Sequence, residues 1–152
     1  MGIQEVAKTN VVCVRPDTTV RAVSQLMREH HVGSVVVVEE PNGKRYPVGI
    51  VTDRDIVVAV TALDLDPKTI TVGDLMAAEL VCVQGDAGVS ETVELMRLKG
   101  VRRVPVTSRD GALVGIVSAD DMLFLLAEEI SGLARMVARE QKHEAALRRT
   151  SA

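Results

Sequence analysis

Along the chain, short and nearly continuous apolar runs alternate with stretches whose apolar positions recur at helical spacing. The runs at residues 11–14, 35–39 and 47–51 are rich in valine and isoleucine and read as strands, as do 80–83, 104–107 and 113–117. Between the first two runs, Val20, Val23, Leu26, Met27 and His30 share one helical face; Val89, Val93 and Met96 do so further on. Pro16-Asp17 and Gly85-Asp86 break the strands ahead of these helices, and Gly33 and Gly100 lie near the helix ends. Asn42-Gly43 and Asp110-Gly111 are hairpin-turn signals. Lead-in segments at 3–8 and 72–77 each suit a single helical turn, the second capped by Thr71 with Asp74. The predicted order is strand, helix, strand, strand, helix, and it occurs twice.

The recurrence is written in the residues themselves. Cys13 and Cys82 stand 69 positions apart, and at that spacing Val12, Val14, Asp17, Val20, Leu26, Met27, Arg28, Val32, Val35 and Val37 meet identical partners. Beyond the hairpin the spacing becomes 66, and Val48, Gly49, Ile50, Val51 and Asp55 meet Val114, Gly115, Ile116, Val117 and Asp121. Two copies of one unit are therefore expected, at 1–66 and 67–130, with 131–152 as a helical extension. The helix closing the first copy, at 54–61, is brief and is followed by a polar linker at 64–68. That closing the second continues through Leu123, Leu126, Ile130, Leu133 and Val137 despite Gly132, which predicts a long amphipathic helix fraying near its end.

Each copy delivers its last strand into a chemically suggestive stretch, Gly49-Ile50-Val51-Thr52-Asp53-Arg54-Asp55 and Gly115-Ile116-Val117-Ser118-Ala119-Asp120-Asp121. A hydroxyl residue after a buried strand suits a helix N-cap, and a helix N-terminus offers free N–H groups and partial positive charge to an anion. Asp55 and Asp121, one turn on, add a carboxylate able to accept two hydroxyl hydrogen bonds. Phosphate at the helix end and a ribose diol on the aspartate is one reading. The other is a capping box, in which the acid reaches back to the first backbone N–H and no ligand is needed.

Composition narrows the field. Apolar residues make up 47% and charged residues 26% of 152, which is globular. A net charge of −3 gives no basic field for nucleic acid or an anionic membrane. No apolar run approaches the length of a membrane span, and the N-terminus lacks a basic region and an apolar core of the secretory kind, so a cytoplasmic protein is expected. Cys13 and Cys82 sit in Val-Cys-Val runs as small hydrophobes. With aromatics at 1%, Tyr46 and Phe124 alone, stacking on rings is not expected to hold bases. His143-Glu144 lacks the second histidine of a zinc-protease motif, His30-His31 is a poor metal site, and no nucleophile arrangement stands out. Neither a catalytic centre, a catalytic cofactor nor a metal is expected.

The paired units, each ending in Gly, two apolar residues, Thr or Ser, two variable positions and Asp, resemble a tandem cystathionine-β-synthase (CBS) domain pair, or Bateman module. The resemblance covers roughly residues 1–130. It implies an α+β fold of two β-α-β-β-α units packed sheet to sheet about a pseudo-twofold axis, here with a long C-terminal helix. It also implies two clefts for adenosine nucleotides (AMP, ADP, ATP or NAD), with Thr52 and Asp55 in one, Ser118 and Asp121 in the other. Residues opening the second strand line the same clefts in that family: Gly33, Ser34 and Val35 for the first, Arg102, Arg103 and Val104 for the second. Arg54 lies inside the first motif; Asp120 replaces it in the second and would repel phosphate, while Arg102 and Arg103 suit forked phosphate contacts.

Two functions fit these expectations: a nucleotide sensor signalling to an effector protein, or a structural dimerisation module with empty clefts. A homodimer is expected in either case, because Ile56, Val57, Val58 and Val60, and again residues 122–126, are apolar nearly all round.

Overall fold

The computed structural model describes residues 1–150. Two three-stranded sheets carry the repeat. In the first, β1 (Cys13–Val14) runs parallel to β2 (Ser34–Glu39), which pairs antiparallel with β3 (Tyr46–Thr52). Helix α1 (Val20–His30) joins β1 to β2, and α2 (Asp53–Ile56) follows β3. The second copy repeats this after a short α3 (Val72–Leu75), with β4 (Val83–Gln84), α4 (Val89–Lys99), β5 (Arg103–Thr107), β6 (Leu113–Ser118) and α5 (Ala119–Thr150). Both hairpins shift register at matched places, beside Val37 and Val106, so the two sheets share the same irregularity. The α+β pair of units about a pseudo-twofold axis is the arrangement expected.

Several element ends differ from expectation. The first strand of each unit is shorter than predicted, because only the residues that reach β2 or β5 make ladder bonds. Helix 54–61 is not one α-helix: α2 gives way to a π-helical turn over Val57–Thr61. Helix α1 stops at His31 in the left-handed conformation (φ 53°), two residues before Gly33; the second copy has Gly100 (φ 65°) at the matching position. Asn42-Gly43 lies in a short 3₁₀ turn over Pro41–Gly43 rather than a two-residue turn. Helix α5 is continuous to Thr150.

The lead-in segments do not stay with the units they introduce. Ile3 N–H donates to Ala87 O (2.8 Å) and Gln4 N–H to Gly85 O (3.1 Å), which seats residues 2–8 on the second unit. Reciprocally, Val20 N–H donates to Ile70 O (2.8 Å) and Val72 N–H to Thr18 O (2.9 Å), which seats α3 on the first. The apolar cores follow suit: Ile3 joins Val83, Met96, Val104, Val106, Val117 and Met122, while Val72 joins Val14, Val23, Met27, Val35, Val37 and Val51. On the opposite sheet faces, Val36 and Val38 are also fully covered, so β2 is buried on both sides.

This exchange explains the motif glycines. A Cβ at Gly115 would stand 2.8 Å from Lys8 O, and one at Gly49 would stand 2.9 Å from Met76 Cβ, so each glycine makes room for the other copy's lead-in. A residue three positions from the chain start is thus a core residue. Ile3→Ala is expected to cost about 2–5 kcal/mol in a denaturant titration, against less than about 0.5 kcal/mol if the terminus merely lay on the surface.

Candidate functional site

Both motif junctions form the same device. Thr52, in extended backbone at the end of β3, accepts from Asp55 N–H (3.1 Å), and its own N–H donates to Asp55 Oδ2 (2.8 Å). Ser118 does the same with Asp121: its N–H donates to Oδ2 (2.9 Å), its hydroxyl donates to Oδ2 (2.8 Å), and it accepts from Asp121 N–H (3.2 Å). These are capping boxes, so that reading holds at both sites. Capping engages one carboxylate oxygen, Oδ2, and leaves Oδ1 for another partner.

The strand starts are tied to the motifs by backbone bonds. Asp53 N–H donates to Gly33 O (3.0 Å) and Ala119 N–H to Arg102 O (2.8 Å). A cavity of about 320 Å³ opens in front of the second motif, lined by Lys8, Val32, Gly33, Ser34, Arg103, Ile116, Ser118, Asp120, Asp121 and Phe124. It brings residues expected in two separate clefts to one place. Gly33 and Ser34, assigned to the first, face Ser118 and Asp121 across the unit junction together with Arg103. A Cβ on Gly33 would stand 3.2 Å from Asp53 Oδ2 and 3.6 Å from Arg103 Nη2, so this glycine leaves the mouth open for the guanidinium.

Other expected residues lie elsewhere. Val35 and Val104 are buried in the two cores, and their side chains do not line this cavity. Thr52, Arg54 and Asp55 lie outside it, on the first motif. Asp120, expected to repel phosphate, is paired with Arg102 at 3.6 Å on the rim.

Four lining residues, Val32 among them, were not anticipated. Ile116 could have been, since strand period two places it on the face of Ser118. Phe124, one turn beyond Asp121, brings a ring to the cavity after all, in a chain with no other phenylalanine. Lys8 could not, because only the lead-in exchange puts it there. Its backbone pairs with Ile116 in both directions (2.9 and 3.0 Å), and its Nζ lies 2.9 Å from Asp121 Oδ1.

Asp121 is the most constrained group here, its side chain only 11% exposed. Burial opposes its ionisation, but hydrogen bonds from Lys8 and from Ser118's hydroxyl and N–H outweigh that and hold its pKa below the ordinary value. A depressed carboxylate stabilises the fold above the ordinary aspartate range and loses that contribution as pH falls through its folded value. Among the described residues, no group of three or more His, Cys, Asp or Glu is placed to hold a metal ion, and no helix is long and apolar enough to cross a membrane.

Comparison with known proteins places the chain. The CBS domain profile matches residues 3–62 and 72–128, so the chain belongs to the CBS-domain family as a tandem pair. It is 38% identical over 123 residues to an uncharacterised protein of Methanopyrus kandleri, covering 81% of this chain but 61% of that longer one. Over 125 residues it is 36% identical to hypoxic response protein 1 of Mycobacterium tuberculosis, covering 82% of this chain and 85% of the relative. Among solved structures, a Pyrobaculum aerophilum CBS domain protein complexed with AMP superposes with a TM-score of 0.72 at 28% identity, over 84% of this chain and 99% of that one.

The Asp121 environment has a measurable consequence. Wild type is expected to exceed Asp121→Asn in unfolding free energy at pH 7, and the gap is expected to close as pH falls below about 4. Denaturant midpoints of both proteins across pH 7 to 3 check it; a gap constant with pH would mean the carboxylate's charge carries no stability.

Proposed function

We propose that the protein is a regulatory module that binds an adenosine nucleotide (AMP, ADP, ATP or NAD) in the cleft before Ser118 and Asp121, and signals its occupancy to an effector protein. The observation that carries this reading is the composition of one cavity. Asp121 supplies a preorganised carboxylate for a ribose diol, the N-terminus of α5 and Arg103 supply positive charge for phosphate, and Phe124, Val32 and Ile116 supply apolar surface for a base. The AMP complex of the Pyrobaculum aerophilum relative supports the ligand class. Thr52, Arg54 and Asp55 form the corresponding half of a second site. The protein acts by binding rather than by catalysis in this reading.

Calorimetric titration with AMP, ADP, ATP and NAD tests it. Removing a charge-assisted hydrogen bond costs about 1.5–3 kcal/mol, so Asp121→Ala is expected to weaken binding by roughly 10- to 150-fold. Loss of a cap alone costs about 1 kcal/mol of stability and leaves affinity unchanged. Wild-type affinity in a less stable Asp121→Ala would assign Asp121 to capping alone, and absence of binding by wild type would assign the protein to the structural-module class.

The exposed apolar faces of the helices support assembly as a homodimer. Val93, Met96, Val101, Ala119, Met122, Leu123 and Leu126 line an apolar groove of about 390 Å³ between α4 and α5, and Val57 and Val58 are exposed beside α2. A self-complementary pairing of helical faces covers such surface in both copies at once. Sedimentation at micromolar concentration is expected to give twice the 16.3 kDa of one chain, and a constant single-chain mass on dilution would rule this out.

A further inference from the structure

Lys8 occupies a position that the nucleotide reading does not use. Its ammonium meets Asp121 Oδ1, the carboxylate oxygen that capping leaves over, and Ser118 holds the other. Its main chain is pinned to Ile116 on both sides, yet its side chain is 71% exposed and free to turn about that anchor. An ion pair with so exposed a partner is weak and readily given up. The first motif has no such cation: at the 69-residue repeat the counterpart of Lys8 is Ala77, and Asp55 has no ion-pair partner among the described residues.

We propose that Lys8 makes the second cleft selective for phosphorylated over unphosphorylated nucleosides, a role that rests on the nucleotide reading above. A ribose hydroxyl reaching Asp121 Oδ1 competes with the ammonium for that oxygen. An uncharged nucleoside offers the ammonium nothing in return, so its hydroxyl gains the carboxylate at the expense of the ion pair. A nucleotide brings its own anion into the cavity, and the displaced ammonium transfers to the phosphate beside Arg103. Asp121 exchanges Lys8 for the diol while Lys8 exchanges Asp121 for phosphate, and no charge is left without a partner. Asp120 does not compete for the lysine, because Arg102 already engages it on the rim.

The test compares adenosine with AMP by calorimetric titration on the full chain, in wild type, Lys8→Met and Lys8→Arg. In Lys8→Met the AMP-to-adenosine affinity ratio is expected to fall by about tenfold, AMP binding more weakly and adenosine no worse than before. Lys8→Arg, which keeps the charge, is expected to hold the ratio within about threefold of wild type. The main-chain pairing with Ile116 survives either substitution, and a cooperative thermal transition without ligand verifies that both variants are folded. AMP affinity unchanged in Lys8→Met, or an equal loss for both ligands, overturns the role of Lys8 while leaving nucleotide binding intact. Failure of wild type to bind either ligand overturns the nucleotide reading itself, and this proposal with it.

Discussion

The rest of the structure depends on a reciprocal exchange of short segments. Ile3 completes the core of the unit formed by residues 83–122, and Val72 completes that of the unit formed by residues 14–51. Neither copy closes its apolar interior from its own span alone, so the two units are covalently and energetically interdependent. Burial of a large aliphatic side chain contributes about 1.5–3 kcal/mol, and here two such contributions exist only when both units are folded and docked. The exchange also sets the backbone at the functional end. It requires glycine at 49 and 115, fixes where β3 and β6 enter their helices, and carries Lys8 into the cleft of the unit it does not belong to.

Within that frame the two motifs diverge mainly by their neighbours. Both capping boxes share the reciprocal backbone bonds within a few tenths of an ångström, and the second adds a bond from the Ser118 hydroxyl to Asp121 Oδ2. Around the second, the repeat supplies Lys8 where the first has Ala77, Asp120 where the first has Arg54, and Arg102-Arg103 where the first has Gly33-Ser34. The small Gly33-Ser34 pair and the large Arg103 then meet in one cavity, the first leaving the space that the second uses. A duplicated unit thereby yields one furnished cleft from two complementary halves.

Much of this is legible in the chain. Strand and helix types, the repeat at 69 and then 66 residues, both capping boxes and the long last helix all follow from periodicity and local hydrogen-bonding chemistry. What local chemistry cannot encode is which copy a lead-in joins, since Ile3 suits either core by size and polarity. That Gly33 and Ser34, expected beside the first motif, also border the second is hidden for the same reason: both positions lie at a junction that no single unit contains. His31 gives no sign of ending α1, because glycine is the usual left-handed residue and Gly33 stands two positions away. The π-helical turn at Val57–Thr61 has no signature in a run of valines that would suit a regular helix equally well.

In the proposed nucleotide reading, capping and ligand binding are not rivals at Asp121; the first prepares the second. The two bonds from Ser118 to Oδ2, with the return bond from Asp121 N–H, fix the carboxylate's rotamer before any ligand arrives. Ordering a side chain on binding costs about 0.5–1.5 kcal/mol, and this one is already ordered by the fold. The same bonds keep the group ionised, so Oδ1 offers full negative charge to whatever donor reaches it. At Asp55 the cap lacks the hydroxyl-to-carboxylate bond, no cation among the described residues neutralises the outer oxygen, and the side chain is exposed. Water therefore solvates that carboxylate at no cost, and a hydroxyl arriving there must displace water rather than a lysine. In that reading the two motifs differ in what a ligand has to remove, and that difference comes from Lys8.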